Sequence, residues 1–146
     1  MAERFRLNRV LRLRTQLRER AQNEVAKLRT EIGVVREAIL RSRTRQTENR
    51  RAEAVVAARG MTGEELARFR VYDAGERLRE QVLLAEGARL AQELVQRRRA
   101  VVARRREERQ LEVLRERAED RIEAAEEHAA AVALDDFARR RQAGRR

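Results

Sequence analysis

Arg59-Gly60-Met61-Thr62-Gly63-Glu64-Glu65 is the one stretch of this 146-residue chain that interrupts a continuous helical pattern. Thr62 followed three residues later by Glu65 forms a capping box, which restarts a helix after the glycines. No proline occurs anywhere, so no other position forces a helix to stop. Working outward, the sequence predicts a first helix over about 4–59, a turn at 60–63, a second helix over about 64–141 and a disordered basic tail at 142–146. The expected fold class is all-α: a single elongated domain, built as a long two-helix antiparallel coiled-coil hairpin with an overhanging C-terminal helix. Function is then expected on the surface rather than in a pocket.

Composition supports that class. Charged residues make up 42% of the chain and aromatics 3%, which argues against a rounded core closed by bulky side chains. The apolar residues are mostly Ala, Leu and Val at intervals, as a thin seam between helices requires. With no cysteine, a disulfide scaffold, a thiolate metal site and a thiol nucleophile are excluded. Arginine interrupts residues 1–20 every few positions, so they lack the apolar stretch of a secretory signal. No segment approaches the ~18 apolar residues of a membrane span, and a soluble, cytosolic protein is expected.

In the first helix the apolar positions run Val10, Leu13, Leu17, Ala21, Val25, Leu28, Ile32, Val35 and Ile39. The successive four-residue steps from Leu13 to Val25 read as a stutter that locally unwinds a supercoil. The second helix carries Leu83, Gly87, Leu90, Leu94, Arg97, Val101, Arg104, Glu108, Leu111, Arg115, Ala118 and Ile122, then Ala125, Ala129 and Val132. Its charged members suggest a weak middle. If the turn centres near residue 62, facing residues have numbers summing to about 125. That register sets Leu13 by Leu111, Val35 by Leu90, Arg14 by Glu112, Arg18 by Glu108, Arg45 by Glu80 and Arg50 by Glu76. A parallel dimer of the first helix would instead bring its own basic stretch, Arg4 to Arg20, against a copy. The second helix must overhang, and its end keeps apolar residues from Ile122 to Phe137 that await a partner or fray.

The net charge of +11 raises nucleic acid as a partner, with Arg97-Arg98-Arg99 and Arg104-Arg105-Arg106 as the basic block. Against it stand the absence of interleaved aromatics, the absence of a groove-reading motif and the acidic residues that follow at Glu107 and Glu108. Catalysis finds no support: His128 and Ser42 are the only histidine and serine, and neither pairs a nucleophile with a base. Asp135-Asp136 beside Glu126-Glu127 read as an exposed acidic helix surface rather than a metal cluster. No Gly-rich phosphate loop is present, so no cofactor, catalytic residue or metal ligand is expected.

Three stretches carry a family resemblance. Phe5-Arg6-Leu7-Asn8-Arg9-Val10-Leu11-Arg12-Leu13-Arg14 resembles the opening of the flagellar export chaperone family FliJ. Glu107-Glu108-Arg109-Gln110-Leu111-Glu112-Val113-Leu114-Arg115-Glu116-Arg117 and Ala133-Leu134-Asp135-Asp136-Phe137-Ala138-Arg139-Arg140 are similar to that family's endings. The resemblance spans the whole length. It implies a non-enzymatic stalk and chaperone component of the bacterial flagellar type III export apparatus. Such proteins bind the hexameric export ATPase and its regulator, the cytoplasmic domain of the export gate, and other export chaperones. It also implies a place in the bacterial cytoplasm, peripherally at the inner membrane through protein partners and without membrane insertion. Stalk proteins of virulence type III secretion systems are similar in plan and are the alternative, together with a basic coiled coil that binds nucleic acid.

If the end where the termini meet enters a ring, the residues that would contact it are Phe5, Arg6, Arg9, Arg12, Phe137, Arg139 and Arg140, since arginine forms bidentate pairs with carboxylates. Near the turn, Phe69 and Tyr72 are expected to pack around Val55 and Val56, or to contact the export gate. Val71 and Tyr72 cannot both face one seam.

Overall fold

The computed structural model describes residues 2–144, with side chains from Arg6 onward. Two helices account for nearly all of them: α1, Ala2–Ala58, and α2, Gly63–Ala143. They pack against each other as an all-α two-helix hairpin, and no strand occurs among the described residues. The first helix stops where Gly60 adopts a left-handed backbone with φ of 96°, a conformation that suits glycine. Arg59 and Gly60 N–H groups fold back to the Val56 and Ala57 carbonyls, each at 3.2 Å. The capping box then forms as expected: Thr62 N–H donates to Glu65 Oε2 at 3.1 Å and Glu65 N–H to Thr62 Oγ1 at 3.2 Å. The first helix starts two residues before its expected beginning and stops one residue short of its expected end, whereas α2 runs two residues past its expected end, into Gln142 and Ala143 of the expected tail.

The contacts divide the chain into two units, Ala21–Ala100 and Met1–Arg20 with Val101–Arg146. In Ala21–Ala100 the helices run antiparallel. Val25, Leu28 and Leu90 are buried, and Leu90 is only 2% exposed. Toward the turn the same seam becomes polar. Ser42, Gln46, Asp73 and Glu76 are all buried. Ser42 Oγ donates to Glu76 Oε2 at 2.8 Å, Gln46 Nε2 to Glu80 Oε2 at 2.8 Å, Arg45 to Glu76 at 3.1 Å and Arg43 to Glu80 at 2.7 Å.

These bonds correct the expected register. The partners Arg97–Glu24, Arg70–Glu53, Arg45–Glu76 and Arg43–Glu80 have numbers summing to about 122 rather than 125. The reason is local: with α1 ending at Ala58 and α2 starting at Gly63, the hairpin pivots about one residue earlier than residue 62. Arg45 therefore meets Glu76 instead of Glu80, and Glu76 is held by Ser42 and Arg45 rather than by Arg50.

Gly87 faces α1 here. A methyl group on it would lie 3.6 Å from Val35 Cγ1, an ordinary contact. Gly87→Ala is thus expected to raise stability by about 0.5–1 kcal/mol, because alanine fits and costs less helix entropy. Urea unfolding followed by far-UV circular dichroism checks it; a loss of stability would mean the helices cannot accommodate the methyl group.

In the unit formed by residues 1–20 and 101–146, a second correction applies. Val10 and Leu13 are 42% and 55% exposed, and Leu7, Leu11, Arg14, Thr15, Leu17 and Arg18 are the half-buried residues. The contact stripe keeps strict alternation of four- and three-residue steps through 7, 11, 14, 18, 21 and 25, so no stutter occurs. Arg14 and Arg18 hold seam positions because carboxylates meet them there: Arg14 pairs with Glu107 at 2.6 Å, not with Glu112, and Arg18 pairs with Glu108 as expected. Thr15 Oγ1 also donates to Glu108, at 2.7 Å. Ala118, 4% exposed, is the last buried residue of α2. From Glu123 to Gly144 every side chain is exposed.

Candidate interaction surfaces

Among the described residues no group of three or more His, Cys, Asp or Glu side chains is placed to hold a metal ion. Among the same residues no helix is long and apolar enough to cross a membrane. What the molecule presents is charge and isolated apolar side chains on helix faces.

The residues expected at the terminal end fall into two groups. Arg6, Arg9 and Arg12 lie exposed on α1; the side chain of Phe5 lies outside the described residues. Phe137 is 65% exposed on α2. Arg139 is exposed and pairs with Asp135 at 3.0 Å, and Arg140 is exposed beside it. The structure does not bring the two groups together. Arg14 meets Glu107, so Arg6 to Arg12 run beside about residues 109–115. At ~1.5 Å per residue, Phe137 to Arg140 sit roughly 40 Å farther along α2. At the level of the first group, Val113 and Leu114 form an apolar spot flanked by Arg106, Arg109 and Arg117, which the seam reading of the sequence passed over.

Near the turn, Phe69 is half-buried at the seam and its carbonyl accepts from Asn49 Nδ2 at 3.2 Å. Tyr72 is 45% exposed. The two rings, with Asn49, Val56, Glu65 and Arg68, line a shallow concavity of about 310 Å³. Val56 takes part as expected, whereas Val55 is exposed. Phe69 therefore has a packing role, and Tyr72 supplies the accessible ring.

The feature that sequence reasoning missed is the buried carboxylate stretch of the Ala21–Ala100 unit. Burial alone pushes the Glu76 carboxyl up, but the hydrogen bond from Ser42 and the hydrogen bond and charge of Arg45, with Arg79 adding its charge, outweigh it and leave it below the ordinary value. Hydrogen bonds from Arg43 and Gln46 hold Glu80 low. In the other unit, the Thr15 hydrogen bond lowers Glu108 against the opposing effect of burial, and Arg18 lowers it further. Asp73 pairs with Arg77 through Oδ2 at 2.9 Å, while its Oδ1 is buried without a hydrogen-bond partner.

A pH dependence follows. A carboxylate with a depressed folded-state pKa contributes stability above its unfolded value and loses it as pH falls through the folded value. The hairpin is expected to keep constant stability from neutral pH down to about 5 and to weaken progressively below about 4.5. Urea midpoints between pH 7 and pH 3 measure this; a flat profile would show that these carboxylates are not held low.

No protein-family model, no curated protein and no solved structure matches the chain.

Proposed function

We propose that this chain is a non-enzymatic stalk and chaperone component of the bacterial flagellar type III export apparatus. In that reading it binds the hexameric export ATPase and its regulator, reaches the cytoplasmic domain of the export gate, and works in the cytoplasm, peripherally at the inner membrane. The observation that carries the reading is the order of three stretches along one chain: the Phe5–Arg14 opening, the Glu107–Arg117 run and the Ala133–Arg140 ending. The two-helix hairpin and the exposure of Arg6, Arg9, Arg12, Phe137, Arg139 and Arg140 support it, because a narrow helical hairpin with solvent-facing arginines suits contact with the carboxylates of larger assemblies.

The test is an affinity pull-down of the tagged full chain from its native cytosol after nuclease treatment, at low and high salt, with bound proteins identified by mass spectrometry. Recovery of a hexameric ATPase with its regulator is the expected result. Recovery of a virulence-system ATPase instead would move the chain to the related stalk proteins, and genome neighbourhood would separate the two systems. Loss of all partners on nuclease treatment would overturn the proposal in favour of nucleic acid as the ligand of the basic block.

A further inference from the structure

Two groups of bonds mark the two edges of the seam in the unit formed by residues 1–20 and 101–146. On one edge Arg14 meets Glu107 at 2.6 Å; on the other, Thr15 and Arg18 meet Glu108. Residues three, four or seven apart share a side of a helix. Val10 and Leu17 therefore lie on the Arg14 edge of α1, with Leu13 beside both, and Leu114 lies on the Glu107 edge of α2. With Arg14 opposite Glu107, Val10 stands across from about residue 111 and Leu13 from about residue 108. Val10, Leu13 and Leu114 are all exposed, so an apolar furrow runs along this edge, outside the closed seam. Outward of Leu114, the face of α2 continues through Arg106, Gln110, Val113 and Arg117. With Arg109 these residues line a shallow concavity of about 610 Å³.

Charge is divided unequally between the two edges. On the furrow edge Arg6, Arg106 and Arg117 are exposed and have no ion-pair partner among the described residues. The carboxylate at this edge, Glu107, is already shared by Arg14 and Arg104. The other acidic residues within 106–117 lie toward the opposite edge. There Glu108 meets Thr15 and Arg18, and Glu112 and Glu116 draw Arg109 to themselves. Asp120, one turn beyond Arg117, ends the basic stretch.

We propose that this furrow is a docking groove for an amphipathic helix of a partner protein, one whose apolar stripe is flanked by glutamates or aspartates. The stretch from Arg106 to Arg117 is about 17 Å long, or three helical turns. A furrow between two packed helices accepts the apolar ridge of a third, and helix-in-groove recognition sets anchors at three- and four-residue spacing. Val10, Leu13, Val113 and Leu114, with the aliphatic stems of Arg106 and Arg117, receive those anchors. The unpaired guanidinium groups select acidic flanks and reject basic ones. A nucleic-acid backbone would gain nothing from the apolar side chains, and the face offers no aromatic ring to stack on a base. An anionic membrane would take a convex face with more apolar area than these four side chains supply. The inference goes beyond the proposed function and stands independently of it. The groove shares Arg6 with the proposed ring contact, but none of its apolar residues.

The test is fluorescence anisotropy with the full chain and a labelled helical peptide of about 18 residues, which carries a leucine stripe flanked by glutamates. Binding is expected near 10 µM, and at least tenfold more weakly for the same stripe flanked by lysines. Leu13→Ala/Leu114→Ala and Arg106→Glu/Arg117→Glu are each expected to weaken the acidic peptide about tenfold with unchanged thermal melting, since all four side chains are exposed. Arg29→Glu/Arg36→Glu makes the same charge change in the Ala21–Ala100 unit, and should leave binding within about twofold. Absence of binding, equal binding of the lysine-flanked peptide, or a groove variant that binds like the parent would overturn the proposal. Equal weakening by Arg29→Glu/Arg36→Glu would overturn it as well, because net charge would then explain the attraction. Phosphatidylglycerol vesicles and a DNA duplex of about 20 base pairs are expected to bind the Leu13→Ala/Leu114→Ala chain as well as the parent. A loss for either would assign the furrow to that ligand instead. The chain alone is expected to sediment at 17.1 kDa; a doubled mass that Leu13→Ala/Leu114→Ala abolishes would make the occupant a second copy and overturn the proposal.

Discussion

Ser42→Leu is expected to destabilise the hairpin by about 3 kcal/mol and to lower its melting temperature by roughly 10 °C. Ser42 is 0% exposed and its hydroxyl donates to the Glu76 carboxylate at 2.8 Å. Leucine would overfill the space between two packed backbones, at about 1–3 kcal/mol. It would also leave a buried carboxylate with one donor fewer, at a further ~1–3 kcal/mol. Arg45 and Arg79 still reach Glu76, which keeps the loss short of complete unfolding. Ser42→Ala separates the two contributions, since it removes the donor without adding volume and should cost about half as much. Thermal melts by far-UV circular dichroism measure both, and a leucine variant as stable as the parent would show that the seam tolerates an apolar residue here.

The second large effect concerns the proposed ring contact. Phe137→Ala is expected to weaken binding to the export ATPase about 30-fold, while leaving melting unchanged, because an exposed aromatic ring on an otherwise small-residue surface fits the profile of an interface anchor. Arg6→Glu/Arg9→Glu/Arg12→Glu should weaken binding less, by about three- to tenfold, in a strongly salt-dependent way. The two groups lie roughly 40 Å apart along α2, so their effects should multiply when combined. Titration of labelled full chain at nanomolar concentration gives the comparison. Equal affinities for all variants would remove both groups from the contact.

Much of this was legible in the residues. The turn could be read because Gly60 and the Thr62–Glu65 capping box are local signals with local causes, and both form. The α2 stripe from Leu83 through Ile122 could be read because its apolar members recur often enough to fix the phase, with Arg97 the member that stays exposed. The start of α1 misled, because Val10 and Leu13 are more hydrophobic than Arg14 and Arg18. The phase carried back from Val25 puts the arginines on the seam, and partners in the other helix make that tolerable. The polar stretch at Ser42 and Gln46 was missed for a related reason: hydrophobicity identifies a seam only where the seam is apolar, whereas the spacing continues unbroken past Ile39. The register was off by about three residues because charges recur so densely that several alignments offer opposite-sign pairs. Of the surface residues, sequence named the exposed arginines and Phe137, but only the pairing of α1 with α2 could show that they form two separate groups.

The buried carboxylates of Ala21–Ala100 carry a mechanical consequence. Two apolar stripes can creep past each other by one heptad at little cost, since leucine replaces leucine. Here a slip of seven residues would carry Glu76 away from Ser42 and Arg45, either to the aliphatic neighbourhood of Val35 and Ile39 or alongside Glu53. Both destinations strand or repel a charge. The joint is keyed as well as zipped. Under a pull along its axis this unit should hold its length until it ruptures, instead of yielding by gradual slippage.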